Sequence, residues 1–265
     1  TSSKDRPGNL HIPLDVKNRM KELKSAGYTN HAISQILNVS LRTVQRHTVG
    51  LGPKSSGLIP LPYSAKILTA EKAKIHAYLA AEGCYEETRR VEYDSRTGCR
   101  YHKTYRILHF YTKTSEIWDD FIRCVKSVYN YYPYCFPKRY VIKIKRVAVV
   151  DDLMKWGPYN SLGWRVPTEI LNSNREMQLN WFAALFDGEG HVKKGSGAEV
   201  AMCNYVGLKQ VKTMCEKLGF LCNLRGPYSQ GFNHSPIYVL YFPRMEIHKF
   251  LDVPLVHPKK ANKII

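Results

Sequence analysis

Two stretches of this chain repeat one another at a fixed separation, and that repeat constrains the fold more than any other feature. Ile75-His-Ala-Tyr-Leu-Ala-Ala-Glu-Gly83 lies without gaps over Phe182-Ala-Ala-Leu-Phe-Asp-Gly-Glu-Gly190. Ala77 pairs with Ala184, Ala81 with Gly188, Glu82 with Glu189 and Gly83 with Gly190, each 107 positions apart. A duplicated unit of this kind implies two half-domains. Ala73, Ala77 and Ala81 in one copy, and Ala184 and Gly188 in the other, recur every fourth residue and so line one face of a helix. Small residues on facing helices let their backbones come close, which brings the C-terminal ends together and Glu82 toward Glu189. Two adjacent carboxylates repel strongly unless something neutralises them, and a divalent, oxygen-preferring cation does so.

Each copy leads into a similar series of segments. After Gly83, residues 84–92 and 100–111 are rich in Tyr, Val, Ile and Thr around a turn at 94–98, which predicts a hairpin. A helix capped by Thr114 or Ser115 should follow through Ile117, Phe121, Val125 and Val128, with strands within 134–145. In the second copy the pattern predicts strands at 191–194 and 199–204, a helix at 206–218, strands at 220–225 and 237–242, and a short helix at 244–251. Between Arg89 and Lys113 lie seven basic residues, Arg89, Arg90, Arg96, Arg100, Lys103, Arg106 and Lys113, against two acids, Glu92 and Asp94. A basic β-ribbon of this sort fits the major groove of DNA.

The two repeated segments resemble degenerate copies of the LAGLIDADG motif of homing endonucleases, the second copy more plainly than the first. The resemblance covers roughly residues 64–265, with the acid of each motif at Glu82 and Glu189 and the following glycine at Gly83 and Gly190. The fold it implies is α+β: two pseudo-symmetric αββαββα halves, 65–165 and 166–265, forming a saddle over double-stranded DNA. Trp164-Arg-Val-Pro-Thr-Glu-Ile170 resembles the segment joining the halves of single-chain members. The implied activity is cleavage of both DNA strands at a long site by a monomer, with Mg²⁺ or another divalent cation. Glu82 and Glu189 would hold it, helped by the backbone carbonyls of Ala81 and Gly188. Lys113 falls where relatives place a polar or basic residue beside the scissile phosphate, and Lys259, with its neighbour Lys260, is a further candidate for phosphate contact. Thr112, Lys193 and Asn204 join Arg89, Arg90, Arg100, Lys103 and Arg106 as expected DNA contacts. Two other readings stay open on this scaffold: a DNA-binding transcription regulator that does not cut, and an intron RNA maturase.

Ahead of this domain the sequence predicts a polar tail at 1–10, a helical domain at 11–49 and a linker at 50–64 with three glycines and three prolines. Within residues 28–46, Ile33, Ile36 and Leu37 share a face, Asn38 can end a helix in the left-handed region, and Ser40 can cap the next helix. That second helix turns Leu41 and Val44 inward and leaves Arg42, Thr43, Gln45 and Arg46 free. The segment resembles a helix-turn-helix, whose second helix enters the major groove. Arginine suits guanine edges or phosphate, and glutamine suits adenine. Charge agrees with a polyanionic partner: Lys plus Arg number 40 against 22 Asp plus Glu, a net +18. The longest apolar runs fall far short of a membrane span, which predicts a soluble intracellular protein. Seven cysteines show no paired zinc-ligand spacing and are expected to be buried, reduced thiols.

Overall fold

The computed structural model describes residues 12–26, 28–49, 51, 60–94, 98–193, 195–231 and 234–264. The expected tail at 1–10, most of the linker, and Arg96 and Lys194 lie outside the described residues. The chain divides into two compact units, Thr1–Ile59 and Pro60–Ile265, a boundary that falls inside the expected linker.

The first unit holds α1 (Leu14–Ser25), α2 (Asn30–Ile36) and α3 (Leu41–His47). Thr29 caps α2 by accepting the Ala32 N–H, and Asn38 takes up φ 48°, the left-handed conformation that turns the chain. Ser40 Oγ then accepts the Thr43 N–H at 3.1 Å to start α3. Met20, Leu23, Tyr28, Ala32, Ile33 and Val44 are buried between the helices. Ile36, expected inside, is 39% exposed, while Thr48 fills the buried place after Val44 by returning its hydroxyl to the Val44 carbonyl at 2.8 Å. Arg42, Gln45 and Arg46 stand exposed on one side of α3; the Thr43 hydroxyl is engaged with that of Ser40.

The second unit runs α4 (Ala70–Glu82), β1 (Gly83–Asp94), β2 (Cys99–Tyr111), α5 (Ser115–Tyr129), β3 (Tyr134–Phe136), β4 (Val141–Ile144) and α6 (Val147–Met154). It then repeats the series after the short α7 (Thr168–Leu171): α8 (Arg175–Glu189), β5 (Gly190–Lys193), β6 (Gly197–Met202), α9 (Tyr205–Lys217), β7 (Asn223–Tyr228), β8 (Ile237–Pro243), a 3₁₀ segment at Arg244–Asp252, and α10 (Pro258–Ala261). The two antiparallel sheets have the orders β1-β2-β4-β3 and β5-β6-β8-β7, the same path traced twice. This is the α+β architecture that the repeat and the resemblance imply.

The helix α4 packs against α8 more extensively than any other two helices pack in the chain. A Cβ added to Gly188 would stand 2.7 Å from the Ala81 Cβ, so the helices approach at a distance that only this small pair allows. Each helix passes directly into a strand that doubles back over its last turn. Added Cβ atoms on Gly83 and Gly190 would meet the carbonyls of Leu79 and Phe186 at 2.2 and 2.5 Å, which accounts for both Glu-Gly pairs. Higher in the interface the fully buried His76 joins the two helices. Its Nδ1 accepts the Trp181 indole N–H at 2.9 Å, and its Nε2 faces the Trp156 carbonyl at 3.1 Å. Burial lowers the His76 pKa to about 4, so the ring is neutral and both nitrogens are used.

Polar residues of α4 also bind the first half together. Buried Lys74 meets Asp120 of α5 at 3.0 Å, where Tyr78 donates at 2.8 Å; buried Lys72 meets Asp152 of α6 at 2.8 Å, where Tyr129 donates at 2.9 Å. The second half is held instead by aromatic rings. Phe182 lies within 6 Å of Phe186, Phe220, Phe242 and Phe250, ring centre to ring centre. Phe220, expected to open a strand, is drawn into this cluster, and the strand begins at Asn223. Of the seven free cysteines, Cys124, Cys215 and Cys222 are buried as expected, whereas Cys84 and Cys99 are exposed. Among the described residues no helix is long and apolar enough to cross a membrane. Phe182→Ala should lower the unfolding free energy by about 3–5 kcal/mol through the cavity it leaves, read from urea denaturation. A change under about 1 kcal/mol would mean that the ring cluster does not support the second half.

Candidate metal centre and nucleic-acid interface

The C-terminal ends of α4 and α8 meet at Ala81 and Gly188, and the next residue of each helix is a glutamate. A helix C-terminus carries partial negative charge from its unpaired carbonyls, so this is a poor place for two carboxylates. Glu82 reaches solvent, while Glu189 is half-buried. Burial first, and then the negative charge of Glu82, push the Glu189 pKa up to about 7 against an attraction from Lys260. Burial also raises Glu82, again opposed by Lys260. The pair is left with more negative charge than its surroundings balance.

Lys260 of α10 is a cation that acts on both carboxylates. Its Nζ donates to the α8 carbonyls of Phe186 at 2.8 Å and Asp187 at 2.6 Å, and lies 3.4 Å from that of Gly188. Loss of solvent lowers its pKa to about 8, while Asp187, Glu189 and Glu82 act to raise it. The segment that carries it is fixed by Asp187, whose carboxylate accepts the backbone N–H groups of Val256 at 2.8 Å and His257 at 3.0 Å. Burial raises the Asp187 pKa to about 6 in spite of these bonds. Of the two neighbouring candidates, Lys259 is exposed and Lys260 lines the site. One step along a helix rotates a side chain by about 100°. Asp187 went unnoticed because its partners are backbone groups some seventy positions away.

A cleft of about 520 Å³ opens beside Glu82, lined by Thr112, Lys113, Arg139, Tyr140, His257 and Lys260 among others. Lys113 lines it too, exposed, with its ammonium 5.8 Å from the centre of the Tyr140 ring. Thr112 shares the cleft, its N–H bound to the Tyr140 carbonyl at 3.1 Å and its hydroxyl accepting the Thr114 N–H at 3.2 Å. Asn204 does not reach the surface. It is 2% exposed, caps α9 through the Gly207 N–H at 2.9 Å, and donates to the Trp164 carbonyl at 2.7 Å. An Asn directly ahead of an apolar-periodic helix was a visible cap signal.

Strand register divides the basic hairpin between two faces. Leu108 and Phe110 of β2 are buried beneath the helices, and Arg106, Arg100 and their partners Glu87 and Tyr93 share that side of the ribbon, as does Arg89, paired with Thr104. Arg106 is further tied to Asp151 of α6 at 2.9 Å. The opposite, outward face carries Arg90 directly across from Lys103, with Tyr101, Tyr105, His109 and, from β4, Lys143. On the second sheet Lys193 stands exposed on the outward face, paired with Glu199 at 2.8 Å. Of the five basic hairpin residues expected at DNA, two therefore share the outward face and three do not.

Residues 176–253 match the family model described as a LAGLIDADG-like domain. The match covers α8 through the 3₁₀ segment at 244–252, and the first half of the unit repeats the same helix and strand order. Among solved structures, I-DmoI in complex with DNA and Mn is similar at 12% identity over 70% of this chain and 96% of that one, with a TM-score of 0.49. A mutant of I-SmaMI matches at 11% identity over 72% and 88%, TM-score 0.45. The I-LtrWI LAGLIDADG homing endonuclease bound to target DNA matches at 12% over 73% and 88%, TM-score 0.42.

The Glu189 shift has a sign that can be measured. Its carboxyl titrates near 7 when folded against 4.5 for the free side chain, so the folded state holds the extra proton between those values. The stability this contributes is complete below about 4.5 and declines as pH rises toward 7. With chelator present, Glu189→Gln should gain melting temperature over the natural chain at about pH 7.5 and gain little at about pH 5. An equal difference at both pH values would show that the carboxylate is not strained.

Proposed function

We propose that this chain is a site-specific endonuclease that hydrolyses both strands of duplex DNA with the help of a divalent cation. The observation that carries the proposal is the pair of under-neutralised glutamates at two helix ends that touch. A fold has no structural use for such a pair, whereas a hard cation needs one. The donor chemistry suits Mg²⁺ or a similar ion: two carboxylates, Glu82 and Glu189, with the carbonyls of Ala81 and Gly188, the residues just before them, as further candidates. Among the described residues no group of three His, Cys, Asp or Glu forms a site, so the remaining ligands would come from water and substrate.

When bound, such an ion supplies positive charge at the phosphate and acidifies water. The chain's own groups do the rest. Glu82 and Glu189 orient around the scissile region, while Lys113 and Lys260 offset the charge that builds on the departing oxygen. Both lysines line the cleft beside Glu82.

The outward faces of the two sheets lie against the duplex in this reading. Arg90 and Lys103 address base edges or phosphates from the first sheet, Lys193 from the second, and Arg89 and Arg100 reach flanking backbone from the ribbon's other side. The first unit is read as a helix-turn-helix presenting Arg42, Gln45 and Arg46, with Thr43 limited by its bond to Ser40. The net +18 of this chain suits a polyanionic duplex.

Two measurements test the proposal. On duplexes selected from a random library by binding, Glu82→Gln and Glu189→Gln should each abolish Mg²⁺-dependent cutting, a loss of at least about 10³-fold, while keeping affinity. A natural chain that binds tightly and cuts nothing would leave a non-cleaving DNA binder. Arg90→Ala should weaken binding by about 1–3 kcal/mol, whereas Arg106→Ala, already paired to Asp151, should change it by less than about 0.5. The double variant Arg42→Ala with Arg46→Ala should flatten the dependence of affinity on salt. An unchanged slope would remove the first unit from the interface.

A further inference from the structure

On the outward face of the β1–β2 ribbon, four side chains gather around one carboxylate. Glu92 Oε2 accepts the Tyr101 hydroxyl at 2.8 Å and the Lys103 ammonium at 3.2 Å, and its Oε1 accepts the hydroxyl of Tyr105. The Tyr105 ring in turn lies under two cations, with the Lys103 ammonium 5.0 Å and the Arg90 guanidinium 5.7 Å from its centre. The bond from Tyr101 first, and then Lys103 against some loss of solvent, hold the Glu92 carboxyl below its ordinary range, so it stays ionised. Surface ion pairs add little to stability, and a carboxylate on a face turned toward phosphates is repelled by them. Its place on this ribbon calls for a use other than holding the fold.

The network fixes the order of charge along the face. Arg90 stands directly across from Lys103, and Glu92 follows one same-face step along β1. A carboxylate offers about four lone-pair sites, of which Tyr101, Lys103 and Tyr105 take three. The Lys103 ammonium keeps further N–H donors after the one given to Glu92. Two groups of donors beside one acceptor are thus left to face a partner, with the Lys103 nitrogen and the Glu92 oxygen 3.2 Å apart.

A G·C pair presents the complement of this order. Its major-groove edge displays the guanine acceptors N7 and O6 and then the amino donor on cytosine N4, with O6 and N4 bonded to each other and so adjacent. An A·T pair alternates acceptor, donor and acceptor and ends in a methyl group. Two cations followed by a carboxylate match the first series and set charge against the methyl group of the second.

We propose that Arg90, Lys103 and Glu92 together read one G·C pair of a bound duplex, the cations at guanine N7 and O6 and Glu92 at the amino group of cytosine. Glu92 is then a specificity-determining residue. It also rejects other pairs, because a carboxylate set against an O4 or O6 acceptor is repelled and gains no donor. This deepens the duplex-binding part of the proposed function, on which it rests, and needs no cutting.

The test uses the full chain, with chelator present, and duplexes selected by binding from a random-sequence library. Sites selected by the natural chain should share a G·C pair at one position, and its replacement by A·T should weaken binding about 10-fold or more. Glu92→Gln keeps the shape of the side chain but turns one acceptor into a donor, which suits N6 and N7 of adenine. It should reduce that penalty to about 2-fold or less, and the sites it selects should carry adenine where cytosine stood. Glu87→Gln, across from Arg106 on the opposite face of the ribbon, should select the same sites as the natural chain. Identical sites for the natural chain and Glu92→Gln would overturn the proposal. An equal change with Glu87→Gln would overturn it too, since the effect would then come from the shape of the ribbon. If the natural chain selects no common sequence, the reading of the sheets as a site-specific duplex interface falls together with this inference; a common sequence that Glu92→Gln leaves untouched removes this inference alone.

Discussion

The close contact of α4 with α8 at Ala81 and Gly188 governs the rest of the second unit. Helices usually pack with axes about 8–10 Å apart, and the smallest side chains give the nearest approach. Here the small pair stands in the last turn of each helix, directly before a glutamate. The contact that closes the core is therefore also the one that gathers negative charge. Bulk on either small residue would separate the helices and relieve the charge at once, so packing and chemistry cannot be altered independently there.

The two halves hold their motif helices in place by different means. In the first, Lys72 and Lys74 of α4 are buried against Asp152 and Asp120, each with a tyrosine hydroxyl in attendance. In the second, Phe182 of α8 packs with Phe186 of the same helix and with Phe220, Phe242 and Phe250 around it. Buried ion pairs contribute little net stability but punish the loss of either partner, whereas an aromatic cluster stabilises through area and contact. Duplication set one fold twice, and each copy reached a packed interior by its own chemistry.

This difference explains which parts of the molecule could be read in the sequence. The second motif was plain because its neighbours are apolar and its small residues stand out. The first was obscured by His76, Lys72 and Lys74, whose partners Trp181, Asp152 and Asp120 lie 46 to 105 positions away and leave no local trace. Helix and strand order followed from periodicity and caps. The facing of side chains did not. Alternation along β2 was visible, but only its pairing with β4 and the burial of Leu108 and Phe110 decide which side of the ribbon looks outward. The same limit leaves Lys259 and Lys260 indistinguishable in the sequence and sends the capping Asn204 to the surface.

The β1–β2 hairpin has one more property. Its strands run 12 and 13 residues, yet β4 pairs only with Leu108 to Tyr111 at the base, whereas β5 and β6 have 4 and 6. Most of the ribbon is thus joined to the molecule through its own ladder and contributes almost nothing to the core. Substitutions on its outer part are free of the penalties that follow from disturbing a packed interior. Such an arm can drift through many surface chemistries without endangering the fold, which makes it the natural place for a lineage to acquire new preferences.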